Sequence, residues 1–185
     1  ADASRRTRAV NAYVSGIGPT RRIVVYDTLL REAPPAEVVS VVAHELAHAK
    51  HRDVVTGTLF GAGGAAAAIV GWYLLGGWGG LLRVAGVSSV AQPQAVALLV
   101  AVFTVGSLVA GPAQALMSRQ IEARADAHAL SLTGDAETFV AMQTRLAATN
   151  HADPDPPAWE RVLFATHPST VERIAAAGGM ARGER

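Results

Sequence analysis

His44-Glu45-Leu46-Ala47-His48, an HExxH pattern, is the stretch on which the reading of this chain turns. Residues four apart on a helix share a face, so His44 and His48 can direct two imidazoles at one metal ion. Glu45 then sits beside the ion without binding it, placed to take a proton from water, which is the arrangement of a zinc hydrolase. The surroundings predict a helix. Pro34-Pro35 marks its start, Glu37 is an acid in the first turn, and Lys50, His51 and Arg52 are cations at its end. Val38, Val39, Val41, Val42 and Leu46 are expected to form the apolar side that holds the histidines. His51 lies seven residues from His44, about 10 Å of helix rise, and reads as an end-cap or a supporting group rather than a ligand.

Catalytic zinc takes three protein ligands and leaves a fourth position open. The chain has no Cys, so the third ligand must be His, Asp or Glu. Glu122 is the best candidate. It and Asp126 are again four apart on a helical pattern, so Glu122 would ligate and Asp126 would hydrogen-bond a ligating histidine and fix its tautomer. The alternative is an ordinary charged helix in which Glu122 pairs with Arg119 and Asp126 with Arg124. His128, two residues beyond Asp126, falls off that face.

Composition limits the rest. At 185 residues the chain is long enough for one domain with a real core, and its net charge of +1 gives no nucleic-acid signal. The absence of Cys excludes disulfides and thiolate ligands and suits a reducing compartment. There is no initiator Met, and the polar, basic Ala1–Arg8 has no signal-peptide pattern, so the chain is expected to be the C-terminal part of a longer membrane protein.

Half of the residues are hydrophobic, only 17% are charged, and the mean hydropathy is +0.26. The excess is concentrated: no charged residue occurs from Val54 to Leu82 or from Val84 to Ser118. Each run exceeds the ~20 residues that cross a bilayer as helix. Spans are expected at about 54–75 and 94–116, the first rich in Gly and Ala and ending near Trp72, Tyr73 and Trp78 as an interfacial aromatic belt. Gly76-Gly77 and Gly79-Gly80 read as a loop, and Gly111-Pro112 as a kink or break. A pair of buried helices in a soluble domain is the alternative. Two spans between His48 and Glu122 form a hairpin that returns the chain to the side it left, as one shared metal requires. Lys50, Arg52, Arg119 and Arg124 flank that side against Arg83 on the other, which puts the site on the cytoplasmic face.

Tyr13–Ser15 and Arg22–Tyr26, around Gly16-Ile17-Gly18-Pro19, read as a β-hairpin whose edge could hold an extended peptide by strand addition. Ala136–Ala148 reads as an amphipathic helix, Asn150–Pro157 as an Asp/Pro loop, Thr170–Ala177 as a last helix, and Gly178–Arg185 as a frayed tail. His167 is read either as a cap for that last helix or as a group at the site, with the local physics favouring the cap.

Taken together, the chain resembles the integral-membrane zinc metalloendopeptidases of the type-1 CAAX prenyl protease family. The match lies in Asn11-Ala12-Tyr13, Arg22 to Leu30, the HELAH helix, the Glu122…Asp126 helix, Asp153-Pro154-Asp155-Pro156-Pro157, and Thr166-His167-Pro168 before Glu172-Arg173-Ile174. The resemblance implies a mainly α, membrane-embedded, zincin-like domain with a small β-hairpin and a two-helix transmembrane hairpin inserted between the zinc-ligand helices. It implies one zinc ion on His44, His48 and Glu122, with Glu45 as general base and acid. It also implies that Asn11 lies on the substrate-binding strand and that His167 stabilises the oxyanion or binds substrate. Expected partners are a peptide or protein substrate and the lipid bilayer, with no nucleic acid. A heat-shock-type membrane quality-control zinc protease is the second reading. A non-catalytic zinc-binding membrane module and a soluble helical binding domain are the readings from other classes.

Overall fold

The HExxH segment is one helix, and everything around it follows from how that helix is started, covered and stopped. The computed structural model describes residues 1–182. The order of elements is β1 (Ala12–Ser15), a 3-10 turn at Gly18–Thr20, β2 (Arg22–Val25), α1 (Asp27–Glu32), α2 (Pro35–His51), α3 (Asp53–Gly76), α4 (Gly79–Val84), α5 (Ala95–Thr133), α6 (Ala136–Thr149), α7 (Ala158–Leu163) and α8 (Thr170–Ala181). The fold is therefore mainly α with a two-stranded antiparallel sheet, Ala12 facing Val25 and Ser15 facing Arg22. The described residues form two compact units, 1–55 with 115–182, and 56–114.

In the first unit, α2 begins with Pro35 in its first turn, where the missing N–H costs nothing. It ends at Arg52, which adopts the left-handed conformation (φ 59°) that normally favours glycine, and α3 starts at the next residue. The core joins Val10, Ala12, Leu29, Val41, Leu130, Phe139, Met142 and Ala177. α2 packs on β1, β2, α1 and α6, and α6 packs on α8. A two-pronged ion pair from Arg145 to the buried Glu37 (2.7 and 3.2 Å) ties α6 to the first turn of α2.

The expected apolar side of α2 is only partly the covered one. Val41 is buried, but Val39 and Leu46 are exposed, and the covered residues include Glu37, Ser40, Ala43, His44, Glu45 and Ala47. The helix turns its polar face inward, where charged partners from other elements meet it.

Gly134 (φ 65°) closes α5, and Asp135 then caps α6 by accepting from the Thr138 N–H at 2.9 Å. Ser169, not His167, caps α8, in a reciprocal pair with Glu172 (2.8 and 3.2 Å). α8 also runs four residues past its expected end, through Gly178-Gly179. Its last turn is closed by the Arg182 N–H bonding to the Gly178 and Gly179 carbonyls, beyond a fully buried Ala177. The remaining residues of the expected tail, Gly183 to Arg185, lie outside the described residues. α1 and α7, six residues each, were not legible as helices.

The second unit consists of apolar helix and the connection between. Gly79-Gly80 opens the short helix α4 instead of continuing a loop, and Leu82, Val87 and Ala95 cluster with Leu98 beside it. A Cβ at Gly76 would come within 2.9 Å of Val90 Cγ1, so the Val90 side chain would have to shift to admit one. α5 continues as one helix through Pro112. Among the described residues, α3 and α5 are long and apolar enough to cross a membrane, and their most apolar windows are 0% and 6% buried. Exposed Leu59, Phe60, Ile69, Val100, Val105 and Leu108 do not have the burial of core helices in a soluble domain.

Candidate functional site

Two consecutive turns of α2 bring His44 and His48 side by side, and one turn of α5 brings Glu122 opposite. Nε2 of His44 and Nε2 of His48 are 3.1 Å apart. Glu122 places Oε2 at 3.4 Å from the first and Oε1 at 3.4 Å from the second. These three residues are the group, among those described, that could hold a metal ion.

The far side of each imidazole faces a carboxylate. Nδ1 of His48 hydrogen-bonds Asp53 Oδ2 at 2.9 Å. Nδ1 of His44 lies 2.9 Å from Asp126 Oδ1, although its N–H is not aimed straight at the oxygen. An ionised carboxylate only accepts, so Nδ1 of each ring carries the hydrogen and each Nε2 presents a lone pair. The two Nε2 atoms, 3.1 Å apart, repel unless a proton or a metal ion lies between them. Tetrahedral zinc with bonds of about 2.0–2.1 Å sets its nitrogen ligands about 3.3 Å apart. The donor set fits zinc in type, spacing and tautomer.

Arginines anchor both carboxylates. Arg173 of α8 grips Asp126 with two bonds of 2.7 and 2.5 Å. Arg124 of α5 bonds Asp53 at 2.5 Å. The surface pairings Glu122–Arg119 and Asp126–Arg124 do not form, since Arg119 instead donates to the Arg161 and Ala165 carbonyls at 2.6 and 2.8 Å.

The electrostatics favour a positive charge at the centre. Burial pulls the His44 pKa down, but Asp126 and Glu122 outweigh it and push it up to about 9. Burial raises Glu122, yet hydrogen bonds from His167 and His44 hold it well below the ordinary carboxylate range. Asp126 is lowered in the same way, by His44 and Arg173 against its burial. Glu45 is the exception. Burial raises its pKa, and the nearby His44 and His48 only partly offset this.

The other expected residues fall around the same place. His167 is largely exposed, with Nδ1 2.9 Å from Glu122 Oε2. Asn11 lies one residue before β1 and lines, with Ala12, Tyr13, Val14, Glu45 and His167, a cleft of 810 Å³. His51 packs edge-on against His128, with ring centroids 5.8 Å apart, and neither lines the cleft. Sequence reasoning missed Asp53, Arg124 and Arg173 in their roles. A signal existed for Asp53: an imidazole that presents one nitrogen to a metal needs a partner for the other, and the sequence reading supplied a partner for only one of the two histidines.

The family model described as Peptidase family M48 matches residues 1–181. The chain is 31% identical over 179 residues to the protein named "Uncharacterized metalloprotease YhfN" of Bacillus subtilis (strain 168), covering 92% of this chain and 41% of that one. It is 31% identical over 188 residues to a protein named "Protease HtpX homolog" of Campylobacter concisus (strain 13826), covering 89% and 62%. The crystal structure of S. mikatae Ste24p is similar in fold, with a TM-score of 0.77 at 24% identity over 95% of this chain and 43% of that one. The chain thus spans about two fifths to two thirds of the length of these proteins.

Proposed function

We propose that this chain, which belongs to peptidase family M48, is the zinc-binding part of a membrane endopeptidase that hydrolyses peptide bonds at the cytoplasmic face. The observation that carries the reading is the triangle of His44, His48 and Glu122 with the buried Glu45 beside it at one cleft. A metal held only for structure has no use for a base next to an open coordination position. When bound, zinc supplies Lewis acidity for the scissile carbonyl and for water.

The chain's own groups do the remaining work. Glu45 takes a proton from the attacking water and passes it to the leaving amine. His167, exposed at the rim, donates toward the oxygen on which negative charge develops. Asn11 and the strand it precedes align the substrate. The Tyr26 N–H bonds the Asn11 carbonyl, so by antiparallel alternation Ala12 and Val14 turn their N–H and C=O groups away from β2. Both line the cleft, where an extended peptide can add as a further strand. The spans at about 54–75 and 94–116 hold the protein in the bilayer, with Lys50, Arg52, Arg119 and Arg124 on the cytoplasmic side.

A CAAX-prenyl-protease-like activity is supported by the pattern from Arg22 to Leu30 and by the Asp153–Pro157 loop. The second reading, a quality-control protease of HtpX type, is favoured by relatives of that name that match over a larger share of their length. The test is zinc content by elemental analysis of detergent-purified wild type, Glu122→Ala and Glu45→Gln, alongside peptide hydrolysis. The reading expects one zinc per chain in wild type and Glu45→Gln, loss in Glu122→Ala, and hydrolysis in wild type alone. Zinc retained by Glu122→Ala, or hydrolysis by Glu45→Gln, would overturn it. Prenylated and unprenylated C-terminal peptides, compared with an unfolded membrane protein, separate the two substrate classes.

A further inference from the structure

α7 is amphipathic in the unusual sense that its apolar side is uncovered. Trp159, Val162 and Leu163 recur at helical spacing and are 62%, 55% and 39% exposed, and Phe164, which follows, is 60% exposed. Trp159 and Phe164 pack edge to face with centroids 6.3 Å apart, which leaves one continuous aromatic and aliphatic patch. On the opposite side of the helix Arg161 bonds Asp155 at 2.7 Å. A patch of this kind marks an interaction site.

Its location identifies the partner. Arg119 is the first charged residue after the uncharged run from Val84 to Ser118 on the α5 side of the chain. Its guanidinium clamps the end of α7 by two bonds, to the carbonyls of Arg161 and Ala165. Leu116, one turn back toward the uncharged run on the same face of α5, is exposed as well. The apolar side of α7 is therefore held at the level where an uncharged helix gives way to charge, the depth at which Trp settles in a bilayer.

We propose that α7 is an interfacial membrane anchor whose Trp159, Val162, Leu163 and Phe164 insert among lipid headgroups. This rests on the membrane reading of α5. The segment continues directly into the site, because Phe164, Ala165, Thr166 and His167 line the cleft. One wall of the cleft is thereby formed at the lipid surface, and a peptide segment lying on the bilayer enters without leaving it.

The chain has three tryptophans, which makes the test direct. Trp72→Phe/Trp78→Phe leaves Trp159 as the reporter, and Trp159→Phe leaves the pair in the expected spans. Each is reconstituted in phosphatidylcholine nanodiscs with or without lipid brominated near the headgroup, and also titrated with aqueous acrylamide. The expected result is that brominated lipid quenches Trp159 at least as strongly as the Trp72 and Trp78 pair, with weak acrylamide quenching. Trp159 quenched by acrylamide and not by lipid, while the pair is quenched by lipid, would overturn the anchor and leave the membrane reading standing. Trp159 shielded from both would overturn it in favour of a protein partner on this face. If lipid quenches neither reporter, the membrane reading itself falls and the anchor with it. Should the Phe pair fail to fold, Trp72→Tyr/Trp78→Tyr gives the same readout.

Discussion

Asp53 Oδ2 accepts a 2.9 Å hydrogen bond from Nδ1 of His48, although the two residues belong to different helices separated by a left-handed turn at Arg52. The carboxylate is doubly employed, since its other oxygen holds Arg124. It also sits in the first turn of α3, where a negative charge is favoured. Replacing it by Asn keeps an acceptor for His48 and loses the ion pair; replacing it by Ala loses both. Zinc affinity by chelator competition is expected to fall about 10–100-fold in Asp53→Ala, with a smaller loss in Asp53→Asn. Equal affinity in all three proteins would remove Asp53 from the site.

His167→Ala tests the exposed member of the cleft. Zinc content is expected to be unchanged, because the triangle of His44, His48 and Glu122 does not include it. Steady-state hydrolysis is expected to lose about 10²–10³-fold in kcat, the range for one donor to a developing oxyanion. A change confined to KM would assign His167 to substrate binding instead.

Among the described residues Phe139 is the largest fully buried side chain, enclosed in the core that also holds Val41 of α2. Phe139→Ala is expected to destabilise the first unit by about 3–5 kcal/mol, the usual cost of such a cavity. Chemical unfolding in detergent, followed by far-ultraviolet circular dichroism, checks this.

Asp27 gathers the start of the chain. It accepts from the Ser4 hydroxyl at 2.6 Å and from the Ser4 and Ala3 amides at 2.9 and 2.8 Å, and these bonds, the hydroxyl foremost, lower its pKa from 3.8 to about 2. A depressed carboxyl stabilises the fold fully above its unfolded pKa and loses that contribution as pH falls through the folded one. The contacts are therefore expected to hold at pH 5 and to weaken progressively from about pH 4 down to 2. The Ser4 amide chemical shift follows this directly, and Asp27→Asn is expected to make residues 1–8 more sensitive to protease at neutral pH.

What could be read from the sequence was whatever lies within a turn or a repeat. The i, i+4 pairs His44/His48 and Glu122/Asp126, the hairpin at Gly16–Pro19, and the two uncharged runs are local patterns, and the structure brings the first four residues to one place. Partners far apart in the chain could not be read. The Arg173–Asp126 and Arg145–Glu37 pairs join residues 47 and 108 positions apart, and nothing local to any of the four announces its mate. α7 was missed because six residues hold fewer than two turns of periodicity. The end of α8 was missed because glycine's weak helix propensity was outweighed by packing on α6.

The single-residue joint at Arg52 also makes a statement about descent. Adding or deleting one residue between His48 and Asp53 would swing Asp53 by about 100° around its axis and strip His48 of its partner. Loops elsewhere in this chain can drift in length; this one is locked by chemistry. Where a related sequence carries the HExxH pattern, an acid five residues past the second histidine becomes a ruler for deciding whether it keeps the same centre.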